Sequence, residues 1–326
     1  MSTLGKHCEK FRVKVDEATI TVGYAFKKGN CLRIGDAYYT IVQPLGKGSV
    51  GDVYEVEHLT TRKHYAMKHL YHNFTTNDPK KYYGKLRLLA AHTSPHPSFV
   101  WIRGLSEFDE KSGSFSYVMD LVPKGFMPLA YAMNQQNLLT MDQRIAICRK
   151  LAEAFAALRK KKWIYGDASP KNILFKPKRN GGDPDVLIID TDTISPEQAQ
   201  HCGIEGTGCF RAPEILLGKS PTLNSDVHAL AAVMFQLAIG CNALDGTRTR
   251  RDHFSEDNVL RHYGENPMYI FDPSGQNKPL KPILRKRLDQ LPQGLRVYFK
   301  IMFSQERLKG GVARPGPEIL LQYLQE

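Results

Sequence analysis

The hydrophobic periodicity of this 326-residue chain changes near Val122, and that change limits the folds it can adopt. Before it, strand-like runs alternate with glycines and turn residues, as in a β-meander. These predicted strands cover 38–46, 52–59, 63–71, 99–108 and 114–122, with one helix over 79–91. After it, helical patterns dominate, so we predict an α+β, bilobal fold with a small β-rich lobe and a larger, mainly α-helical lobe.

The domain boundaries follow from the same change. We predict an N-terminal extension over 1–32 with one or two short strands between 10 and 26, a small lobe over 33–122, and a large lobe over 123–326. A hinge is expected near residues 120–126.

Within the large lobe, residues 141–162 have the pattern of an amphipathic helix. Its predicted buried face consists of Ile145, Cys148, Leu151, Phe155 and Leu158. The apolar run 229–239 is too short to span a bilayer and predicts a buried helix. Two short strands are expected over 172–175 and 185–190, and a polar connector over 245–287.

Composition narrows the class of protein. Apolar residues make up 42% and charged residues 24%, which is typical of a folded chain rather than a disordered tail. The 6 cysteines lack CxxC pairs and favour free thiols over a disulfide framework or zinc site. The N-terminus has no apolar stretch of the secretory kind. We therefore expect a cytoplasmic protein without a membrane span.

A glycine-rich segment between two predicted strands is the first candidate for chemistry. Residues 46–53 read GKGSVGDV, so Gly46, Gly48, Gly51 and Val53 fit the pattern G-x-G-x-x-G-x-V. Such glycines let backbone N–H groups approach a triphosphate, although the segment alone also fits an ordinary hairpin turn. Lys68 lies in the predicted strand over 63–71, where it could neutralise phosphates or be an ordinary surface lysine.

A second candidate follows the long helix, where residues 165–174 read YGDASPKNIL. Asp167 and Asn172 share one loop, so the carboxylate could orient a hydroxyl while the amide holds a metal. Asp190 ends an apolar strand, and Mg²⁺ prefers such oxygen ligands. Each piece by itself also fits a turn-capping role.

The order of these segments, followed by Ala-Pro-Glu at 212–214, resembles the eukaryotic-type protein kinases. The resemblance covers about residues 33–325. Residues 206–214 (GTGCFRAPE) resemble the family's GTxxYxAPE segment, and 225–230 resemble the start of its buried central helix. The chain looks like a divergent, bacterial-like variant, with GDxxxxN and DxD in place of HRD and DFG.

The resemblance implies a protein-kinase-like fold and ATP-dependent phosphoryl transfer to Ser or Thr hydroxyls of a protein substrate. Thr207 matches the threonine of the Ser/Thr branch. ATP and Mg²⁺, or Mn²⁺, are the implied cofactors. The implied catalytic residues are Asp167, Lys68 and Lys171, and the implied metal ligands are Asn172, Asp190 and Asp192. The implied nucleotide-binding residues are Gly46, Gly48, Gly51, Val53, Ala66, Lys68, Met119 as gatekeeper, Asp120 and Val122 in the hinge, and Leu174.

Two structural roles also follow from the resemblance. Glu214 and Arg314 are expected to form a buried ion pair, and Asp226 is expected to brace the catalytic loop.

The catalytic loop departs from the family pattern. Tyr165 and Gly166 replace His-Arg, and Ser169 stands where a phosphate-contacting lysine is expected, a role that Lys171 could take over. Without that arginine, no guanidinium is available there to receive an activation-loop phosphate. We therefore predict activity that is independent of phosphorylation at Thr191, Thr193 or Ser195.

The partner of Lys68 is a second departure. The family places a helix glutamate beside this lysine, whereas Lys85 occupies that position here and would repel Lys68 by about 1–4 kcal/mol at about 4 Å. Thr191 also replaces the DFG phenylalanine. We hypothesise that Asp192 supplies the missing charge or a second Mg²⁺ ligand, while a turn-capping role for Asp192 stays open.

Two other functions remain compatible with these motifs. GDxxxxN and IDxD are similar to motifs of aminoglycoside and choline phosphotransferases, although those small-molecule kinases lack an Ala-Pro-Glu segment. The departures at Lys85 and Ser169 would also suit a nucleotide-binding pseudokinase that acts as a scaffold.

The charge balance of 45 basic against 33 acidic residues gives a net +12. Lys47, Lys68 and Lys171 lie where ATP phosphates would bind, and further cations cluster at 159–162, 248–251 and 285–287. The basic flank in 248–287 could recruit an acidic substrate or partner. A nucleic-acid partner is disfavoured because no aromatic-rich RNA motif or zinc finger is present.

Overall fold

The computed structural model describes residues 26–47, 51–70, 78–135, 137–178, 180–197, 208–249 and 255–324. The chain divides into two compact units. The first runs to Lys124 but leaves out residues 95–99, and the second comprises 95–99 together with the chain from Gly125 onward.

The first unit is built on a six-stranded antiparallel sheet with strand order β1-β2-β3-β4-β6-β5. Its strands are β1 (Cys31–Ile34), β2 (Ala37–Lys47), β3 (Gly51–His58), β4 (His64–Leu70), β5 (Ile102–Leu105) and β6 (Phe115–Asp120). The predicted strands over 38–46, 52–59, 63–71 and 114–122 are confirmed.

Two details of the predicted sheet were wrong. The strand predicted over 99–108 is only Ile102–Leu105. Strand β1 was not predicted, because four residues are too few for a clear alternation; a tight turn at Gly35 (φ +59°) pairs it with β2. The N–H of Gly35 also donates to the carbonyl of Leu105 at 2.8 Å, which links the two edge strands and curls the sheet.

One face of this sheet carries a buried apolar core. Its members are Leu32, Ile34, Tyr39, Ile41, Tyr54, Val56, Met67 and Val118. Helix α1 (Pro79–Ala90) confirms the helix predicted over 79–91. It starts at Asp78, whose side chain accepts from the backbone N–H of Lys81, and it buries Tyr82, Leu86 and Leu89.

The second unit is mainly helical. Its helices are α2 (Leu129–Asn134), α3 (Met141–Lys160), α4 (Pro213–Leu216), α5 (Leu223–Ile239), α6 (Glu256–Val259), a π-helical turn (Leu260–Glu265), α7 (Pro282–Asp289), α8 (Gln293–Met302), α9 (Gln305–Leu308) and α10 (Pro317–Tyr323). Its short strands are β7 (Met127–Pro128), β8 (Trp163–Ile164), β9 (Ile173–Lys176), β10 (Asp185–Ile188) and β11 (Ser195–Pro196), and 3-10 turns span Thr191–Thr193 and Gly208–Phe210.

Helix α3 confirms the amphipathic helix predicted over 141–162, with one correction. Ile145 is only half-buried, whereas the other predicted face residues are buried. The neighbouring Arg144 is buried instead, because its guanidinium donates to the carbonyl of Leu237 at 2.6 Å.

The buried helix predicted from the apolar run 229–239 is confirmed as α5. It starts with a capping box between Thr222 and Ser225 and ends at Gly240, whose φ of +98° suits glycine. Within the described part of the chain, no helix combines the length and the apolarity that crossing a membrane would require.

The connector predicted over 245–287 contains more helix than expected. Helix α6, the π-helical turn and the first residues of α7 all lie within it. Ser255 starts α6 by accepting from the N–H of Asn258, a local capping signal that the polar composition had hidden.

Four cysteines in the described chain, Cys31, Cys148, Cys209 and Cys241, are free thiols, as predicted. Cys8 and Cys202 lie outside the described residues, as do nearly all of the strands predicted over 10–26.

The glycine at the start of β3 is required by packing. A Cβ atom at Gly51 would overlap the carbonyl oxygen of His69 on the adjacent strand, whereas a Cβ at Gly46 would meet nothing within 4 Å. We expect Gly51→Ala to lower the free energy of unfolding by about 2 kcal/mol and Gly46→Ala by less than about 0.5 kcal/mol. Urea denaturation of both variants tests this, and equal effects would contradict the packing explanation.

Candidate active site

Four predicted nucleotide-binding residues of the first unit, Val53, Ala66, Lys68 and Met119, share one face of its sheet. Strand pairing places Val53, Lys68 and Tyr117 side by side on β3, β4 and β6. Two residues along, it places Ala66 beside Met119. Because side chains alternate between faces, all five lie on the face opposite Asp52, His69 and Ser116.

The glycine-rich segment connects β2 to β3. Gly46 lies in β2 opposite Val53, and Gly51 opens β3, while Gly48 lies outside the described residues. Gly51 therefore has a packing role besides the proposed approach to a phosphate.

Lys68 is 8% exposed on β4, so most of the residue is removed from water. Lys85, at the family's glutamate position, lies in α1 with its ammonium 4.2 Å from the ring centroid of Tyr82. A cation over an aromatic face is stabilised by the ring quadrupole. The aromatic ring of its own helix thus gives Lys85 a favourable contact.

Residues predicted at the hinge flank the end of β6. The carboxylate of Asp120 accepts from the guanidinium of Arg103 at 3.1 Å and 2.5 Å and lies 4.0 Å from the ammonium of Lys63. These contacts engage the Asp120 side chain and leave its backbone as the part that a base could meet. Val122 follows the strand and is partly buried.

In the second unit, the loop after β8 brings Asp167 and Asn172 together. The amide nitrogen of Asn172 donates to the Asp167 carbonyl at 3.1 Å and to its carboxylate at 2.8 Å. Both residues are largely buried. Since the amide nitrogen is committed to the loop, the amide oxygen is the atom that Asn172 can offer to a metal.

Asp190 lies next to this pair because β9 and β10 are antiparallel. The N–H of Ile189 donates to the Asn172 carbonyl at 2.9 Å, which extends the pairing one step toward Asp190. Asp190 itself adopts a left-handed conformation with φ +51°. Such strain in a non-glycine residue is concentrated at functional sites.

Asp226, at the start of α5, holds the loop that carries Asp167 through two hydrogen bonds, as predicted. Its two carboxylate oxygens accept from the backbone N–H groups of Tyr165 and Gly166, each at 3.0 Å. The carboxylate thus satisfies two buried donors immediately before Asp167.

Tyr165 joins the loop that carries Asp167 to the turn that carries Asp190, a role that the sequence analysis did not predict. Its hydroxyl donates to the Ile189 carbonyl at 2.5 Å, one residue before Asp190. Burial, followed by the neighbouring carboxylates of Asp190 and Asp167, holds its pKa well above the ordinary range, so the phenol remains a donor. A buried tyrosine needs a hydrogen-bond partner for its hydroxyl. That requirement is the one signal from which this contact could have been predicted.

Gly166, which stands where the family has an arginine, adopts a backbone conformation that suits glycine. Its φ is +85°, a conformation that L-residues with side chains rarely adopt. An arginine here would be strained in this backbone.

The remaining predicted residues occupy distinct positions. Lys171 is exposed, whereas Leu174 on β9 is 8% exposed. Ser169 is buried, and its hydroxyl has no hydrogen-bond partner within the described chain. Asp192 is 3% exposed in the 3-10 turn that follows Asp190.

The donor set fits Mg²⁺ shared with a nucleotide better than a cation held by protein alone. Across the described residues, no three His, Cys, Asp or Glu side chains converge as a metal site. Mg²⁺ in phosphate-transfer sites takes only one or two protein ligands and completes its shell with phosphates and water. The Asn172 amide oxygen and the Asp190 carboxylate meet that requirement.

The segment after the site is anchored by the predicted ion pair. Arg314 donates to both carboxylate oxygens of Glu214, at 2.5 Å and 2.8 Å, and its side chain is fully buried. A small cavity between this segment and the catalytic loop is lined by Gly166, Ala168 and residues 210–212.

The titration of Asp226 makes the stability of the protein depend on pH. Burial raises its pKa from 3.8 to about 6, although the two N–H donors oppose that shift. Between these values the folded protein keeps a proton that the unfolded chain has released, so stability falls as the pH rises. From about pH 4 to about pH 6 we expect wild-type stability to fall by about 2 kcal/mol relative to Asp226→Asn, which does not titrate.

Urea denaturation of both proteins across this range measures the difference. A stability difference that stays constant with pH would show that Asp226 has an ordinary pKa in the folded protein.

Comparison with known proteins agrees with this geometry. The family profile described as Protein kinase domain matches residues 39–293. The chain is 26% identical over 266 residues to the serine/threonine-protein kinase PknF of Mycobacterium tuberculosis, covering 79% of this chain and 53% of that protein.

Two further relatives are similar over shorter stretches. The serine/threonine-protein kinase pkn2 of Myxococcus xanthus is 24% identical over 66% of this chain and 26% of its own length. The cGMP-dependent protein kinase of Toxoplasma gondii is 26% identical over 68% of this chain and 22% of its own length. The chain spans about half the length of PknF, and less of the other two. With the family profile matched over more than half of its residues, the chain belongs to the protein kinase family.

Proposed function

We propose that this protein transfers the γ-phosphoryl group of ATP to Ser or Thr hydroxyls of protein substrates. The observation that carries the proposal is the arrangement of Asp167, Asn172 and Asp190, which is held by Asp226 and Tyr165. The serine/threonine kinases among the relatives support the choice of acceptor.

Asp167 would act on the acceptor. Its carboxylate, oriented by the amide of Asn172 at 2.8 Å, would accept a hydrogen bond from the attacking hydroxyl and align it with the phosphorus. Lys68 would hold the α- and β-phosphates, and Lys171, exposed on the same loop as Asp167, would contact the γ-phosphate.

Asn172 and Asp190 would bind Mg²⁺ or Mn²⁺, which supplies charge neutralisation on the phosphates when bound. Asp192 is proposed as an additional carboxylate for this metal or for Lys68. The predicted adenine contacts, Val53, Ala66, Met119 and Leu174, would exclude water from the base, with the backbone of 120–122 bonding its edge.

The proposed activity is tested by incubating the protein with ATP, Mg²⁺ and a generic protein mixture such as casein and histones. We expect phosphoserine and phosphothreonine in the wild type and a loss of at least about a hundredfold in Asp167→Asn, because positioned proton acceptors contribute about that much.

Two outcomes would overturn the proposal. Transfer to an aminoglycoside or choline but to no protein would identify a small-molecule kinase. ATP binding without transfer to any acceptor, equal in the wild type and in Asp167→Asn, would identify a pseudokinase.

Independence from activating phosphorylation is a second expectation. Thr191 and Ser195 are buried, and the hydroxyl of Thr193 donates to the Asp190 carbonyl at 2.9 Å, so these hydroxyls are poorly available for modification. Gly166 also provides no guanidinium to receive a phosphate.

We therefore expect phosphatase-treated and untreated protein to have the same kcat. Mass spectrometry confirms removal of phosphate, and a loss of activity that ATP pre-incubation restores would contradict the expectation.

A further inference from the structure

The entry to helix α7 presents cations around two exposed apolar side chains. We name this the 280–286 surface, formed by Leu280, Lys281, Ile283, Arg285 and Lys286. Leu280 is 38% exposed and Ile283 is 45% exposed. The two apolar side chains lie among three cations along the chain.

Helix α7, which carries most of this surface, packs against the rest of the second unit. Leu284 and Leu288 are the buried residues of α7. The guanidinium of Arg285 lies 4.4 Å from the ring centroid of Phe271, which holds it in place. The cations and apolar groups are therefore presented by a packed helix, and binding would need little ordering of the surface.

The cations of this surface outnumber its carboxylates, because the exposed Asp289 is the one acidic residue of α7. Within the described residues, Lys281, Arg285 and Lys286 take part in no ion pair, whereas many other cations do. Unpaired cations interleaved with exposed leucine and isoleucine are complementary to carboxylates interleaved with apolar side chains.

We propose that the 280–286 surface is a docking site for an acidic, leucine- or isoleucine-containing segment of a protein substrate. The proposal rests on the proposed kinase function and names the class of substrate that would be favoured. Bound apolar side chains would contact Leu280 and Ile283, while flanking carboxylates would pair with the three cations.

The size of the apolar area favours a peptide segment over a lipid surface. A membrane-bound helix inserts a continuous apolar face, but the apolar face of α7 is used for packing through Leu284 and Leu288. Two exposed apolar side chains match one or two side chains of a peptide.

Two synthetic substrates test the proposal. Both carry the same serine acceptor, and one is extended by the acidic segment EELEEIEE. We expect the extension to lower KM about tenfold in the wild type, and the triple variant Lys281→Glu/Arg285→Glu/Lys286→Glu to abolish that gain without changing kcat. The unextended substrate should be unaffected by the variant.

A matched charge control is available on the first unit. Lys27, Lys28 and Lys111 are exposed and take part in no ion pair within the described residues. Lys27→Glu/Lys28→Glu/Lys111→Glu makes the same change in net charge and should retain most of the KM advantage. An equal loss in both triple variants would overturn a localised docking site.

Binding measured without ATP separates this proposal from the kinase function. Fluorescence titration of labelled EELEEIEE should show binding to the wild type that weakens in Ile283→Ser and when NaCl is raised from about 50 to about 300 mM. Peptide binding in a protein that transfers no phosphoryl group would keep the docking site while overturning the proposed function.

Binding that is unchanged in Ile283→Ser and in the surface triple variant would overturn the docking site. So would sedimentation of the wild type with phosphatidylserine vesicles, lost in the surface triple variant, without peptide binding. If the surface triple variant does not fold, peptide binding by Ile283→Ser and the dependence of wild-type binding on NaCl still test the docking site.

Discussion

The catalytic loop depends on the contact between a buried carboxylate and two backbone N–H groups. Asp226 accepts from Tyr165 and Gly166 at 3.0 Å each, and Asp167 follows directly. A buried carboxylate is costly unless donors satisfy it, and backbone donors cannot be left unpaired in the interior. Each partner therefore requires the other, and the position of Asp167 follows from the start of α5.

Tyr165 adds a second connection to the loop that carries Asp167. Its hydroxyl reaches the carbonyl of Ile189, so one side chain joins the Asp167 loop to the turn that carries Asp190. Because Gly166 adopts φ +85°, the backbone itself disfavours an arginine before Asp167. The Asp167 loop and the Asp190 turn are thus joined by a hydrogen bond that requires no phosphate, and this is the physical basis for expecting activity independent of phosphorylation.

Much of the fold and site could be predicted from sequence because the relevant signals are local. Alternation predicted most strands of the first unit, and the ordered motifs predicted that Asp226 braces the loop and that Glu214 pairs with Arg314. The missed features depend on tertiary contacts. Strand β1 is too short to show a pattern, and Gly51 is required by the approach of the His69 carbonyl.

The same limit applies to side chains whose role depends on a distant partner. Arg144 is polar by composition, yet it is buried and reaches the Leu237 carbonyl, whereas the apolar Ile145 beside it is half-buried. No single-residue pattern indicates that exchange.

A crystal structure with Mg²⁺ and a non-hydrolysable ATP analogue tests the central claim most directly. We predict that the Asn172 amide oxygen and the Asp190 carboxylate bind Mg²⁺ at about 2.1 Å. The Asn172 amide nitrogen should remain bonded to Asp167. A nucleotide bound without these two metal contacts, or an Asn172 amide turned away from Asp167, would contradict the claim.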